Sequence, residues 1–528
     1  MSSVLPNFAG HPSLVQMGIR NSTVYRNLSP AELYEIALND SLEHALPYQL
    51  ANTGALAFCP GPPPPRPPGH KRIVSEPSCE NDVWWGPANI PLSTHSYDMN
   101  LSRTLDFMNI NHQLFVVDGF AGWHPVHKSP VRVVCTEAHH ALFASIMLLK
   151  PKPEELDKYF SRSPYLHVLQ AGRYPANSLT TGVDTPASLD IHLGDRTLVI
   201  LGIQQVDEMK KALFSALHYL LPKKGLLPLH ASATMGDSED VTLMFGLSGS
   251  GKTVLSHRNN TRKLISDDEN CWGNDGIFSL EGGCCVEVTR NNLRDVPSVA
   301  LFGGLLENPS LNSDGGVDYA DHCTVTYPIS FLKNAQVPCL GAHPKNIVLL
   351  VRDTYGVLPP VSKLSPTQAL YHFIAGYNGT TEGAKAKADF SACFGKPFLV
   401  QSPVMYADML AERINKHHPK CWLINSGWAG GAYGQGHRMS VDTTLSILKA
   451  IHSGGLEHTP TSKLDLFGLD FPTEVPGLDP KMQTPWLSWS SRDDYNKSLR
   501  TLATEFKRST RKYEDLTTEE VKAAGPQL

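Results

Sequence analysis

The motif GLSGSGKT, from Gly246 to Thr253, limits the folds open to this chain more than any other part of the sequence. It follows the apolar run VTLMF and precedes VLSH, which is the order strand, glycine-rich loop, helix. Glycines in such a loop let backbone amides turn toward phosphate oxygens, while a lysine neutralises their charge and a threonine reaches a divalent metal. We therefore predict a loop that binds nucleotide phosphates, the alternative being an ordinary glycine-rich turn.

Acidic residues follow the next apolar run, KLIS, at Asp267 and Asp268. Carboxylates at a strand end beside a phosphate loop suit a magnesium–nucleotide site, because hard oxygen ligands hold the ion that bridges the phosphates. A solvated turn is the alternative. His230 and Lys211 are less informative alone, since a single histidine near a strand is usually a packing residue and adjacent lysines on a helix usually face solvent.

The hydrophobic pattern predicts a mixed α/β fold. Ser29 and Pro30 are typical of a helix start, and apolar residues at helical spacing continue to Asp40. Short β-branched runs then alternate with helical ones up to a predicted helix over 207–221. We interpret 222–236 as a segment that crosses between two halves of the chain, because proline and glycine bracket it.

A domain boundary near residue 225 follows from this interpretation. Residues 1–225 are the predicted substrate-side α/β domain, and residues 226–528 are the predicted nucleotide- and metal-binding domain with a helical tail. In the second domain VTLMFG, NIVLLVRD and KCWLIN are typical of buried strands, and TLSILKAI is typical of a helix.

Composition narrows the functional classes. The 528 residues are 41% hydrophobic and 18% charged with a net charge of -5, and no basic stripe for nucleic acid is present. No apolar run reaches the roughly 18 residues of a membrane span, and the N-terminus lacks a secretory pattern. Ten scattered cysteines without metal-ligand spacing indicate reduced thiols. We expect a cytoplasmic protein that binds a small molecule, neither nucleic acid nor membrane, with monomer or homo-oligomer left open.

Motifs along nearly the whole chain resemble the ATP-dependent phosphoenolpyruvate carboxykinase family. They include DVWWGPANIPLS, DEMKK, HASA, GLSGSGKT, EGGC and YGVLPPVS. The resemblance implies a two-domain α/β fold whose C-terminal mononucleotide-binding domain contains the P-loop. It also implies a reaction in which oxaloacetate loses CO2 and ATP phosphorylates the resulting enolate, with Mg2+ or Mn2+ as cofactors.

The resemblance also implies roles for residues by position. The implied catalytic residues are Lys210, Lys211, Lys252 and Asp267. The implied metal ligands are Lys211, His230, Asp268 and Thr253, and Arg66 is the implied substrate-binding residue. The implied nucleotide-binding positions are Gly246, Leu247, Ser248, Gly249, Ser250, Gly251, Lys252, Thr253, Val254, Arg438, Met439 and Thr444.

The sequence departs from the family pattern around the implied substrate. Arg66 lies in PPPPRPPG, where prolines fix φ at about −65° and remove amide donors, so its guanidinium is left as the main anion contact. Glu287 and Thr324 stand where the resemblance implies a lysine and an arginine, and Gln205 stands where it implies a tyrosine. The implied lid, residues 375–390, is shorter than the family's.

These departures decide the functional prediction. Charge clamps in phosphoryl transfer are worth about 10³ to 10⁵ in rate, so losing two cations is costly. We therefore expect a carboxykinase-like enzyme that transfers phosphoryl from ATP, with decarboxylation or dehydration, to an acid or alcohol other than oxaloacetate in specialised secondary metabolism. The alternatives are a genuine phosphoenolpyruvate carboxykinase, in which Arg290 or Arg294 compensates, and a nucleotide-binding pseudoenzyme.

Overall fold

The computed structural model describes residues 6–44, 46–59, 70–161, 165–247, 249–259, 261–290, 293, 296–312, 314–319, 323–383 and 385–528. Three residues named above, Arg66, Ser248 and Arg294, lie outside the described residues. Among the helices that are described, none combines the length and the apolar character that crossing a membrane requires.

The chain forms two compact units. The first comprises residues 1–224, 279–337 and 397–401, and the second comprises 225–278, 338–396 and 402–528. The predicted domains 1–225 and 226–528 are contiguous, whereas these units are not. The reason is that strands from residues 283–328 pair with strands near the start of the chain.

The described part of the first unit contains an eight-stranded sheet, a five-stranded sheet and seven α-helices. Its elements are α1 Pro12–Gln16, β1 Val24–Arg26, α2 Pro30–His44, β2 Tyr48–Leu50, β3 Leu56–Phe58, β4 Lys71–Ser75, β5 Ile90–Ser93, α3 Thr94–Ile110, β6 Leu114–Ala121, β7 Ser129–Cys135, α4 Ala138–Met147, α5 Pro153–Phe160, β8 Leu166–Ala171, β9 Ser188–His192, β10 Thr197–Leu201, α6 Val206–Leu220, β16 Gly283–Val288, α8 Ser298–Gly303, β17 Leu305–Glu307, β18 Ser310–Leu311, β19 Val317–Asp318 and β20 Cys323–Pro328. The larger sheet has the order β1-β6-β7-β8-β10-β9-β4-β5, and the smaller has the order β16-β20-β17-β3-β2.

The second unit is built on one large sheet. Its elements are β11 Leu227–Met235, β12 Val241–Phe245, α7 Lys252–Arg258, β13 Lys263–Ser266, β14 Glu269–Trp272, β15 Ile277–Ser279, β21 Leu340–Gly341, β22 Pro344–Val351, β23 Val361–Leu364, α9 Pro366–Ala375, β24 Tyr377–Glu382, β25 Lys385–Phe390, α10 Pro403–His417, β26 Lys420–Asn425, β27 Trp428–Ala429, β28 His437–Arg438, α11 Val441–His452, β29 Thr461–Lys463, β30 Asp470–Pro472, α12 Pro480–Gln483, α13 Arg492–Thr510 and α14 Glu519–Ala523. The order is β21-β15-β14-β11-β12-β22-β26-β23-β30-β29, with β13 paired to β11.

The predicted α/β class is confirmed, and several elements begin where local chemistry requires. Helix α2 starts at Pro30 because the Ser29 hydroxyl accepts from the amide of Glu32, while the Glu32 carboxylate accepts from the amide of Ser29. Within the segment 222–236, which the sequence analysis interprets as crossing between two halves, the chain passes from the first unit to the second at residues 224 and 225. Leu227–Met235 is a strand inside the large sheet, bonded to both β12 and β14.

Candidate functional site

Three parallel strands bring the parts of a phosphate site to one edge of the large sheet. Strand β22 pairs in parallel with β12 on one side and β26 on the other. Because parallel strands end at the same edge, the loop after β12, Arg352 after β22 and Ser426 after β26 are neighbours. Ser426 confirms this closeness, since its hydroxyl donates to the Ser250 carbonyl at 2.6 Å.

The loop itself needs its glycines. Gly249 and Gly251 have φ values of 79° and 96°, in the left-handed region that side chains disfavour. The Ser250 amide and hydroxyl both donate to the Leu247 carbonyl, at 3.0 and 2.7 Å. Helix α7 then begins at Lys252. The predicted order of strand, loop and helix is therefore confirmed among the described residues.

Lys252, Asp268 and His230 converge beside this loop. The Lys252 ammonium lies 2.5 Å from Oδ1 of Asp268 and 3.4 Å from Nε2 of His230. Nε2 of His230 lies 3.4 Å from the same Asp268 oxygen. Lys252 is buried, whereas the other two side chains are partly exposed. The structure thus brings together a lysine, a carboxylate and an imidazole that the sequence predicts as site residues.

Glu269 fixes the orientation of His230. Its Oε1 lies 2.6 Å from Nδ1 of His230, and its side chain is fully buried. With Nδ1 turned to this carboxylate, Nε2 is the ring nitrogen that faces Asp268. An imidazole held in this way beside a carboxylate oxygen is the donor set of a divalent-cation site. His230 and Asp268 therefore fit the metal that the resemblance implies.

Asp267 is buried and holds the start of α7. Its Oδ2 accepts from the Thr253 hydroxyl at 3.3 Å, and its Oδ1 accepts from the Ser256 hydroxyl at 3.3 Å. Nε2 of His257 lies 3.5 Å from Oδ1. The two adjacent aspartates thus have different surroundings, because Asp267 contacts helix hydroxyls while Asp268 contacts Lys252.

The implied nucleotide-binding positions outside the loop, Arg438, Met439 and Thr444, divide into two groups. Arg438 reaches the phosphate loop, since its Nη2 donates to the Gly249 carbonyl at 2.6 Å. Met439 and Thr444 are buried, with the Met439 amide donating to the Gly427 carbonyl at 2.8 Å and the Thr444 hydroxyl donating to the Ser440 carbonyl at 3.1 Å. Leu247 and Val254 flank the loop and are partly exposed.

Lys210 and Lys211 belong to the first unit, on α6. Lys210 pairs with Glu281 at 2.8 Å, and both side chains are buried. Lys211 hydrogen-bonds Glu208, which also contacts Nε2 of His70 at 2.7 Å. Burial opposes ionisation of Glu208, but the hydrogen bond of His70 and the charge of Lys211 prevail and lower its pKa to about 2.

Lys71 is a further lysine of this group that the sequence analysis did not select. Burial, and next the charge of Lys211, lower the pKa of Lys71 to about 7. Its ammonium donates to the Pro397 carbonyl at 2.7 Å. The first unit therefore places a readily deprotonated amine in the surroundings of Lys211.

Two of the departures from the family pattern lie in the smaller sheet. Glu287 on β16 is opposite Thr324 on β20, and Glu287 is exposed. Cys285 lies two residues earlier and thus on the same strand face. Burial raises the pKa of its thiol to about 12, although the charge of Lys210 acts to lower this pKa. Glu287 consequently shares the strand face whose surroundings include Lys210. Gln205 is buried at the start of α6.

Sequence reasoning missed three residues of this site. Glu269 stands next to two predicted aspartates, but only the antiparallel register of β11 and β14 places it opposite His230. Ser426 and Arg352 lie far from the loop in sequence. Their signal is that each follows an apolar strand, a pattern that becomes informative once the strands are known to be parallel neighbours.

The fold and site together define an α/β protein that binds nucleotide phosphates through a P-loop. The profile of the phosphoenolpyruvate carboxykinase family matches residues 22–481, and the chain belongs to this family. It is 41% identical over 529 residues to phosphoenolpyruvate carboxykinase (ATP) 2 of Salinibacter ruber, covering 98% of each chain. It is 40% identical over 523 residues to phosphoenolpyruvate carboxykinase (ATP) of Dictyostelium discoideum, covering 96% of this chain and 92% of that one. The Neurospora crassa enzyme of the same name is 41% identical over 522 residues, covering 95% and 85%. The predicted family resemblance is confirmed.

Proposed function

We propose that this protein is an ATP-dependent phosphoenolpyruvate carboxykinase, which converts oxaloacetate and ATP to phosphoenolpyruvate, ADP and CO2. Loss of CO2 from oxaloacetate leaves the enolate of pyruvate. The enolate oxygen then attacks the γ-phosphorus of ATP, and the bond to the β-phosphate oxygen breaks. Family membership at about 40% identity over nearly the full chain favours this reaction over the different acceptor expected from the sequence.

The convergence of Lys252 and His230 on Asp268 is the observation that carries the proposal. Lys252 would neutralise phosphate charge beside the loop, where glycine backbone amides are free to turn toward phosphate oxygens. His230 and Asp268, with the Thr253 hydroxyl, would hold the divalent cation. When bound, that cation would neutralise charge on the nucleotide phosphates and on the enolate oxygen.

Lys210 is the proposed cation on the substrate side, and Lys211, its neighbour on α6, keeps the metal-ligand role that the resemblance implies. Lys210 is held by its buried ion pair with Glu281, and Lys211 by its bond to Glu208, so both side chains are preorganised. Arg66, outside the described residues, remains the proposed carboxylate contact. The proposed partners are accordingly small anions, namely a dicarboxylate and a nucleotide.

The test is product analysis with the purified full chain. Protein is incubated with ATP, Mg2+ and Mn2+, with and without oxaloacetate, and phosphoenolpyruvate and ADP are measured by phosphorus NMR. We expect both products in equal amounts, only with oxaloacetate present. ATP binding without phosphoenolpyruvate would contradict the proposal and leave the pseudoenzyme alternative.

A different acid or alcohol as acceptor is the second candidate, favoured by Glu287 and Thr324. An exposed carboxylate on the strand face near Lys210 repels a dianion such as oxaloacetate. The double variant Glu287→Lys with Thr324→Arg tests this candidate, with exposed Glu474→Lys as the control for charge reversal. Phosphoenolpyruvate formed by the double variant but not by the unaltered protein supports the second candidate; formation by the unaltered protein removes it.

A further inference from the structure

The side chain of Arg352 lies against the phosphate loop. Arg352 directly follows β22, and a Cβ atom on Gly249 would stand 2.7 Å from its Nη1. The closeness of Nη1 to the loop backbone is possible because residue 249 is a glycine. The guanidinium therefore touches the same loop residue whose carbonyl accepts a hydrogen bond from Arg438.

Hydrogen bonds to β24 hold Arg352 in this position. Its Nε donates to the Gly379 carbonyl at 2.8 Å, and its own carbonyl accepts from the Gly379 amide at 2.6 Å. The Nε bond fixes the plane of the guanidinium. Nη1 and Nη2 are then the groups left to bind a further acceptor near Gly249.

No carboxylate of the described residues balances the charge of Arg352. Within the described part of the chain, neither Arg352 nor Arg438 forms an ion pair with an acidic side chain. Burial lowers the pKa of both guanidinium groups, and the charge of Arg352 further lowers that of Arg438. Two like charges at one loop, one partly buried and one exposed, are a costly arrangement that a bound anion relieves.

We propose that Arg352 is a phosphate-binding residue of the nucleotide site, contacting the terminal phosphates of ATP together with Lys252. This inference rests on the proposed function in taking ATP as the nucleotide. A guanidinium suits the role because its planar N–H groups match two phosphate oxygens at once, unlike the point charge of a lysine. Arg352 thereby adds a cation to the nucleotide site of a chain in which Glu287 and Thr324 stand where the family resemblance implies a lysine and an arginine.

The experiment compares ATP and AMP, because AMP lacks the terminal phosphates. Dissociation constants for both are measured by calorimetry for the unaltered chain, Arg352→Gln and the control Arg500→Gln, an exposed arginine on α13. Because Arg352→Gln removes a charge-assisted hydrogen bond to the terminal phosphates, we expect it to weaken ATP binding roughly 10- to 100-fold and AMP binding much less. A change below twofold for ATP, or an equal loss for AMP, would overturn the proposal. An equal loss for AMP would mean that Arg352 only positions the loop against β24.

A second variant covers the case in which Arg352→Gln does not fold. Arg352→Lys keeps the charge and loses the planar guanidinium. We therefore expect it to weaken ATP binding more than AMP binding, by a smaller factor than Arg352→Gln does. An ATP-to-AMP affinity ratio equal to that of the unaltered chain would then overturn the proposal. Phosphoenolpyruvate formation by the unaltered chain is a separate readout, so failure of the proposed function and failure of the Arg352 role are distinguishable.

Discussion

The Lys252 ammonium lies 2.5 Å from Oδ1 of Asp268, so the P-loop lysine and a predicted metal ligand form an ion pair. The lysine is 7% exposed and the carboxylate 26% exposed. The pair keeps both charges compensated in the free protein. In the loaded site a nucleotide phosphate would bind Lys252 and a divalent cation would bind Asp268, so the two groups would separate.

Lys252→Met should abolish phosphoryl transfer while leaving the fold intact. The variant keeps most of the apolar stem and removes the only charge that the loop sequence itself supplies, so we expect at least about 10³-fold lower phosphoenolpyruvate formation. Steady-state kinetics and thermal unfolding check this. Lys449→Met, an exposed lysine on α11, is the matched control and should be unchanged. Activity within tenfold of the unaltered protein would contradict the role of Lys252.

Glu269→Gln should weaken metal binding without touching a metal ligand. The variant loses the carboxylate that holds Nδ1 of His230 at 2.6 Å, and such losses cost roughly 10- to 100-fold in metal affinity. Free Mn2+ measured by electron paramagnetic resonance gives the affinity. Glu412→Gln, exposed on α10, is the control. Unchanged Mn2+ affinity would show that the buried Glu269 serves only packing.

Gly249→Ala and Gly251→Ala should differ in ATP affinity more than in stability. Both place alanine at positive φ, which costs about 1 to 2 kcal/mol each. At Gly251 the nearest atom to a new Cβ is 3.9 Å away, whereas at Gly249 it is Nη1 of Arg352 at 2.7 Å. The flexible end of Arg352 can move, so the penalty appears in nucleotide binding. Equal ATP affinities of the two variants would contradict this expectation.

Stability of the first unit should fall as pH rises through the range set by Glu137. Burial raises the pKa of this carboxyl to about 8 despite the opposing charge of Arg173, and neither oxygen has a hydrogen-bond partner among the described residues. The unfolded chain loses this proton near pH 4.5 and the folded chain near pH 8, so the folded state binds more protons between these values. The contribution of Glu137 to the free energy of unfolding is thus fully present below about pH 4.5 and is lost by about pH 8. This contribution is on the order of a few kcal/mol.

Glu137→Gln removes the titrating group and should flatten this dependence. Denaturant unfolding of the full chain at pH 5, 6.5 and 8 checks the slope, and exposed Glu154→Gln is the control. Parallel plots of the free energy of unfolding against pH for the two variants would contradict the prediction, because they would show that Glu137 does not keep its proton in the folded state.

Much of the nucleotide half was predictable from sequence, because its signals are local. The loop 246–253 is contiguous, and KLIS is a strand that ends at Ser266, directly before Asp267. Glu269 and Arg352 were not predictable, since their roles depend on strand register and on which strands are neighbours. The strand 227–235 was not predicted, because Pro222 and Gly236 bracket the segment and Pro228 is unusual inside a sheet, where it stands opposite Cys271. Arg66 and Ser248 stay predictions.

The pairing of β3 with β17 has a consequence for how the chain is made. Strand β3 at Leu56–Phe58 receives its parallel partner only when Leu305–Glu307 leaves the ribosome. Translation at about 5 to 20 residues per second makes that wait roughly 10 to 50 s. During this interval the edge of β3 offers unpaired amides and carbonyls to other nascent chains. The nascent chain is therefore more prone to aggregate through β3 until β17 has been made.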